Sequence, residues 1–303
     1  MKIVRFLSRT TGWCLWCLLL SGCSRQQEAG PPFAYDLSQP ALVKSLPAEL
    51  KEISALAVNH RQEIVCVQDE KGSVYVYDLD RNAIMDRIEF GKDQDYEGIS
   101  LDGSTLYILK STGNIFEVHH ARTGRQQTIE YQTFLKREND TEGLCYDPKG
   151  GRLLVSCKGS PDYKKRSFPA GSKAIYYFDL QRKKFGADPA FVLRTDSVRS
   201  YMQRHFSGLQ RDMVKVEKEL FAPSEIALNP VDGNLYVLCS VGRLLLVVDG
   251  EGRVVYATPL GPKYFPHPEG IAFYANGDML ISNEGNHKRP ANILKFPYHR
   301  PKS

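Results

Sequence analysis

One short segment recurs five times along this 303-residue chain, and a recurrence at near-constant spacing limits the fold more tightly than any composition does. The copies are Glu52-Ile-Ser54-Ala-Leu-Ala-Val58, Asp95-Tyr-Glu97-Gly-Ile-Ser-Leu101, Asp140-Thr-Glu142-Gly-Leu-Cys-Tyr146, Ala222-Pro-Ser224-Glu-Ile-Ala-Leu228 and His267-Pro-Glu269-Gly-Ile-Ala-Phe273. In register they share a column of Ser54, Glu97, Glu142, Ser224 and Glu269, at spacings of 43, 45, 82 and 45 residues. A turn follows each copy, with Asp102-Gly103, Asp147 to Gly150, Asn229 to Gly233 and Asn276-Gly277 as punctuation, and then a second apolar run. A third run often ends in an acid, as at Val74 to Asp78, Ile175 to Asp179 and Leu245 to Asp249. About 45 residues with three or four short strands is the size of one propeller blade. The fold expected is all-β, a five-bladed β-propeller.

The 82-residue gap is the place where a sixth blade would hide. No further copy of the segment lies there. Ser172 to Leu193 reads as outer strands of the third blade, and Thr195 to Leu220 as a charged helical insertion capped by Asp196 or Ser197. Five blades with a helical insertion before the fourth motif strand is therefore preferred to six. Too little chain follows Glu269 to finish a blade, so Phe33 to Leu46 is expected to supply the missing outer strand and close the ring.

The N-terminus speaks to compartment. Lys2, Arg5 and Arg9 precede a short apolar run from Cys14 to Leu20, too short to span a bilayer, which ends in Leu20-Ser-Gly-Cys23. That pattern matches a lipobox. Residues 1–22 then read as a lipoprotein signal peptide, Cys23 as the acylated residue (a palmitate-type anchor), 23–32 as a polar tether and 33–303 as the propeller domain. The expected location is the cell envelope, with sorting to the outer membrane expected because Ser24 rather than Asp follows Cys23. Removing the signal peptide lowers Lys+Arg from 40 to 37 against 35 Asp+Glu, so no nucleic-acid surface is expected, and the domain reads as a monomer. Cys66, Cys145, Cys157 and Cys239 fall in apolar strands of several blades and are read as buried free thiols.

The E-G-I/L segments, Gly233-Asn-Leu-Tyr-Val-Leu238, Phe221-Ala-Pro-Ser224, Phe265-Pro-His-Pro-Glu269-Gly and Ile281-Ser-Asn-Glu284-Gly together resemble the SdiA-regulated family of bacterial propellers, over roughly Tyr35 to Pro297. More distantly they are similar to NHL-repeat propellers. The resemblance implies a five-bladed fold and a calcium site, and leaves open whether members are adaptors or enzymes.

The first strand of a blade lines the channel, so the shared column sets three glutamates around one opening. Residues two earlier, Glu52, Asp95, Asp140, Ala222 and His267, are placed nearer the mouth. The ends of the second strands add Gln68, Asp69, Lys110, Lys158, Asn283 and Glu284. Crowded carboxylates raise one another's pKa unless a cation compensates, and oxygen donors suit Ca²⁺. Glu97, Glu142 and Glu269 are the expected calcium ligands, with Asn283 or Glu284 assisting. Competing with this, Lys110 and Lys158 neutralise the ring, or the acids cap strand amides. Glu225 stands where other copies carry glycine and is read as packing between blades or facing solvent. His267 is read as polar surface, and Lys164 to Arg166 and Lys183-Lys184 as solvated loops.

Two functions remain in play. One is a membrane-anchored, calcium-binding module that presents its mouth to a protein, peptide or glycan. The other is a calcium-dependent hydrolase of phosphoesters, lactones or esters at the same mouth. No nucleophile elbow or H-E-x-x-H helix is present.

Overall fold

A computed structural model describes residues 33–162, 167–206 and 221–300. Each repeated segment is the innermost strand of its own antiparallel sheet. After a short strand β1 (Leu42–Ser45), blade 1 runs β2 (Ile53–Val58), β3 (Ile64–Gln68), β4 (Ser73–Asp78) and β5 (Ala83–Glu89). Blade 2 is β6 (Tyr96–Asp102), β7 (Thr105–Lys110), β8 (Ile115–His119) and β9 (Gln127–Tyr131). Blade 3 holds β10 (Thr141–Asp147), β11 (Arg152–Cys157) and β12 (Ser172–Asp179). Its long third strand pairs with two short outer ones, β13 (Lys184–Phe185) and β14 (Phe191–Arg194). Blade 4 is β15 (Pro223–Leu228), β16 (Leu235–Cys239), β17 (Leu244–Val248) and β18 (Val254–Pro259). In blade 5, β19 (Pro268–Phe273), β20 (Met279–Asn283) and β21 (Asn292–Phe296) are completed by β1, which pairs antiparallel with β21. The five inner strands touch in cyclic order, β2 to β6 to β10 to β15 to β19 and back to β2. The wheel closes, with the first strand of the domain as its clasp.

Burial follows the same cycle. The five apolar clusters each lie between two neighbouring blades: Ala55 and Val65 with Ile99 and Ile108, for example, or Ala227 and Tyr236 with Ile271 and Ile281. Those strands are buried on both faces, which is why they read as continuous apolar runs rather than alternating ones.

The glycine of the E-G-I segment sits where neighbouring blades approach most closely. A Cβ on Gly98 would stand 2.7 Å from Leu144 Cβ, one on Gly143 2.8 Å from the Ile226 nitrogen, and one on Gly270 2.8 Å from a Leu56 methyl. Glu225 occupies this column in blade 4 and is buried between blades 3 and 4. Its Oε1 accepts from the backbone N–H groups of Leu144 (2.8 Å) and Ile226 (3.0 Å).

The insertion differs in detail from its sequence reading. The helix α1 spans Thr195–His205, and residues 207–220 of the expected helical stretch lie outside the described residues, as do 163–166. Neither Asp196 nor Ser197 caps it. Arg194 in extended conformation precedes the helix without a side-chain cap, and the Thr195 hydroxyl donates to Gly171 O (2.6 Å). The end of β14 dictates this start, because the chain turns directly from sheet into helix. Val198, Tyr201 and Met202 then bury against blades 3 and 4. The four cysteines are free and buried, and burial pushes each thiol up to about 12.

Gly98→Ala is expected to destabilise the fold by about 1–3 kcal/mol through overpacking against Leu144 and Leu109. Urea titration checks this, as a lower midpoint at unchanged slope.

Candidate functional site

A β-bulge interrupts every inner strand at the same column. Pairing with the second strand jumps between Ile53 and Ala55, Tyr96 and Gly98, Thr141 and Leu144, Pro223 and Glu225, and Pro268 and Gly270. The residues skipped include Ser54, Glu97, Glu142, Ser224 and Glu269. A bulge frees one residue from the ladder and re-aims its side chain. In blades 2, 3 and 5 it aims a glutamate towards the axis.

Glu97, Glu142 and Glu269 come close enough to repel one another, and all three carboxyls are pushed above the ordinary glutamate range. Burial is the main cause for each. For Glu97 the charge of Glu142 and the neighbouring Asp95 add to it. Glu142 is relieved in part by Lys158, whose Nζ lies 2.9 Å from Oε1. Burial alone depresses the Lys158 ammonium, but Glu142 outweighs that and its pKa ends up raised. Glu269 accepts from Ser240 Oγ at 2.8 Å and has His267 Nε2 at 3.4 Å. The other imidazole nitrogen, Nδ1, lies 2.5 Å from Glu284 Oε2. Asp69 lies beside this group. Its carboxyl is pushed up to about 6 by burial and by Glu52 and Glu284, and its buried Oδ1 has no hydrogen-bond partner among the described residues.

The expected mouth residues divide by position. Asp95, Asp140 and His267 do lie within electrostatic reach of the ring, while Glu52 pairs with Lys51 at 3.1 Å and faces Asp69. Ser54 and Ser224 turn to backbone instead. Ser54 Oγ donates to Tyr96 O in the next blade (2.7 Å), and Ser224 Oγ to Leu238 O (3.3 Å). Asn283 does not join the ligand set. It is fully buried, and its amide donates to Tyr264 O and to Asn292 Oδ1, both at 2.9 Å. Lys110 offers no ammonium to the ring; its backbone carbonyl accepts from Thr141 Oγ1 at 2.9 Å.

A single register step accounts for these two corrections. The strand-end column is Gln68, Lys110, Cys157, Cys239 and Asn283, paired opposite the inner strands. The residues one later, Asp69, Ser111, Lys158, Ser240 and Glu284, reach the mouth. In four blades their N–H donates to the carbonyl of the residue two before the bulged one: Asp69 to Glu52, Ser111 to Asp95, Lys158 to Asp140 and Glu284 to His267. Reading that column alone in the sequence would have found Ser240.

The oxygen donors of Glu97, Glu142 and Glu269, with Asp69 Oδ1 unpaired nearby, suit a hard cation such as Ca²⁺. A separate cavity of about 680 Å³ opens at the far end of the channel, lined by Val58, Leu101, Tyr146, Leu228 and Phe273. Asp147, Lys149, Arg152 and Asp232 also line it, so its lining is mixed. The structure therefore defines a five-bladed propeller with a carboxylate ring at one end of its channel and a cavity of mixed lining at the other.

No protein-family model and no curated protein matches the chain. Among solved structures, glutaminyl cyclase from Myxococcus xanthus is 14% identical, covers 86% of this chain and 96% of its own, and has a TM-score of 0.55. A PQQ-bound aldose sugar dehydrogenase from Streptomyces coelicolor is 13% identical, covers 85% and 99%, and has a TM-score of 0.46. The first likeness establishes the fold alone.

Raised carboxyl pKa values make stability pH-dependent. Between the unfolded value near 4.5 and the higher folded values, the folded state holds the extra protons. In chelator, stability is therefore expected to be greatest below about pH 4.5 with respect to these groups and to fall as pH rises through neutrality. Glu97→Gln should flatten that decline, as read from melting temperatures across pH 5 to about 8.

Proposed function

We infer that this chain is a lipid-anchored envelope protein whose propeller mouth binds calcium and acts as a binding module. The observation that carries the reading is the convergence of Glu142, which is buried, with the half-buried Glu97 and Glu269, where among the described residues Lys158 supplies the neutralising ammonium. A divalent cation would offset the burial and the mutual repulsion that together raise their pKa values. The motif resemblance to SdiA-regulated propellers supports the same ion. Calcium would be held by these glutamates and would supply a fixed positive centre for an oxygen-rich ligand, such as a peptide carboxylate or a glycan.

The position of the N-terminus supports the anchored arrangement. The described chain begins beside the turns at the far end of the channel, where the Tyr35 hydroxyl donates to Gly277 O and accepts from Asn229 Nδ2, both at 2.7 Å. A lipid on Cys23 would join ten residues earlier in the chain. The acidic mouth then points away from the membrane. Among the described residues no helix is long and apolar enough to cross one.

Calcium at about 100 times its dissociation constant is expected to stabilise the protein by about 2.7 kcal/mol, raising the melting temperature, with the gain lost in Glu142→Gln and Glu97→Gln. No calcium shift in the parent protein overturns the calcium site. Calcium-dependent turnover of a phosphomonoester, phytate or lactone, lost in Glu142→Gln, replaces the binding-module reading with the hydrolase.

A further inference from the structure

We propose that His267, Glu269 and Glu284 form a second metal site at the rim of the mouth, selective for a borderline cation of the zinc class. One ligand atom from each of the three lies within 4.8 Å of the others, a spacing a single ion can bridge. The donor set differs in kind from the deeper ring. An imidazole nitrogen suits zinc, cobalt, nickel or copper, whereas calcium takes oxygen.

The three side chains are held before any ion arrives. His267 lies between Pro266 and Pro268, and the following proline confines its backbone to extended conformations. Its carbonyl accepts from the Glu284 N–H at 2.9 Å, and its own N–H donates to Asn283 Oδ1 at 3.4 Å. Asn283 is in turn clamped by Tyr264 and Asn292, and so fixes the histidine. Ser240 donates to Glu269 Oε1 and orients that carboxylate, the outer-shell support typical of metal ligands. Beside Glu284, Asp69 carries the buried oxygen that lacks a partner. The His267 side chain is 50% exposed, which leaves a coordination position open to solvent. Three protein ligands with an open fourth position is the pattern of a site that binds or activates an exogenous molecule, rather than a closed structural one. Glu269 belongs to both the rim and the ring, so an ion at either place alters the charge felt at the other.

The test uses the full chain, stripped with a chelator and titrated with Co²⁺, whose visible absorption reports low-coordinate binding. One equivalent is expected to bind, to be displaced by Zn²⁺ and to resist Ca²⁺. His267→Ala and Glu284→Gln should abolish the absorption, and Ser240→Ala should weaken binding roughly 10–100-fold. Glu142→Gln should keep the cobalt spectrum while losing the calcium-dependent melting shift, and His267→Ala should do the reverse. The two readings thus fail separately. His267 and Glu284 are partly exposed, so both variants should fold, as unchanged melting without metal would verify. Cobalt binding to His267→Ala with parental affinity, or no low-coordinate spectrum in the parent protein, overturns the rim site.

Discussion

The inner strands of neighbouring blades pack in close contact, and that contact governs what the axis can hold. Gly98 lies against Leu144, Gly143 against Ile226 and Gly270 against Leu56, at separations that leave no room for a β-carbon. Such proximity lets five short sheets share apolar clusters and close into a ring without an open edge. It also presses the residues just before those glycines towards one another. Tight packing and crowded carboxylates are two consequences of one geometry.

The bulge turns that crowding into a site. Had pairing continued regularly through Glu97, Glu142 and Glu269, each would occupy an ordinary ladder position. Released from the ladder, the same residues converge, and burial raises all three carboxyls. Where the column carries serine, the hydroxyl bonds to backbone instead, as Ser54 does across to Tyr96. Blades 1 and 4 therefore serve as structural sectors of the ring, and blades 2, 3 and 5 carry its charge. Glu225 extends this asymmetry: it takes the glycine column of blade 4, and its carboxyl accepts from the Ile226 N–H of its own strand and from the Leu144 N–H of blade 3.

The two ends of the channel differ chemically although the same five strands build both. The column that bears acids at one end is followed four residues later by Val58, Leu101, Tyr146, Leu228 and Phe273 at the other. Charge is concentrated where the inner strands begin, and the chain enters the domain where they end.

The sequence by itself determined the number of blades, the clasp from the N-terminal strand and the glutamate column, because a repeat with its turns records one unit of local structure copied five times. It also exposed Glu225 as the odd member of its column. Tertiary structure alone decided which neighbours those side chains meet. Strand alternation suggested Asn283 and Lys110 as mouth residues, but they sit one place short of the column that turns inward, and Ser240, one place past a strand end, was passed over. Likewise His267, read as polar surface, meets Glu269 and Glu284 only because β19 and β20 pair through a bulge. Periodicity assumes an unbroken ladder, and here the ladder breaks at the residues that carry the chemistry.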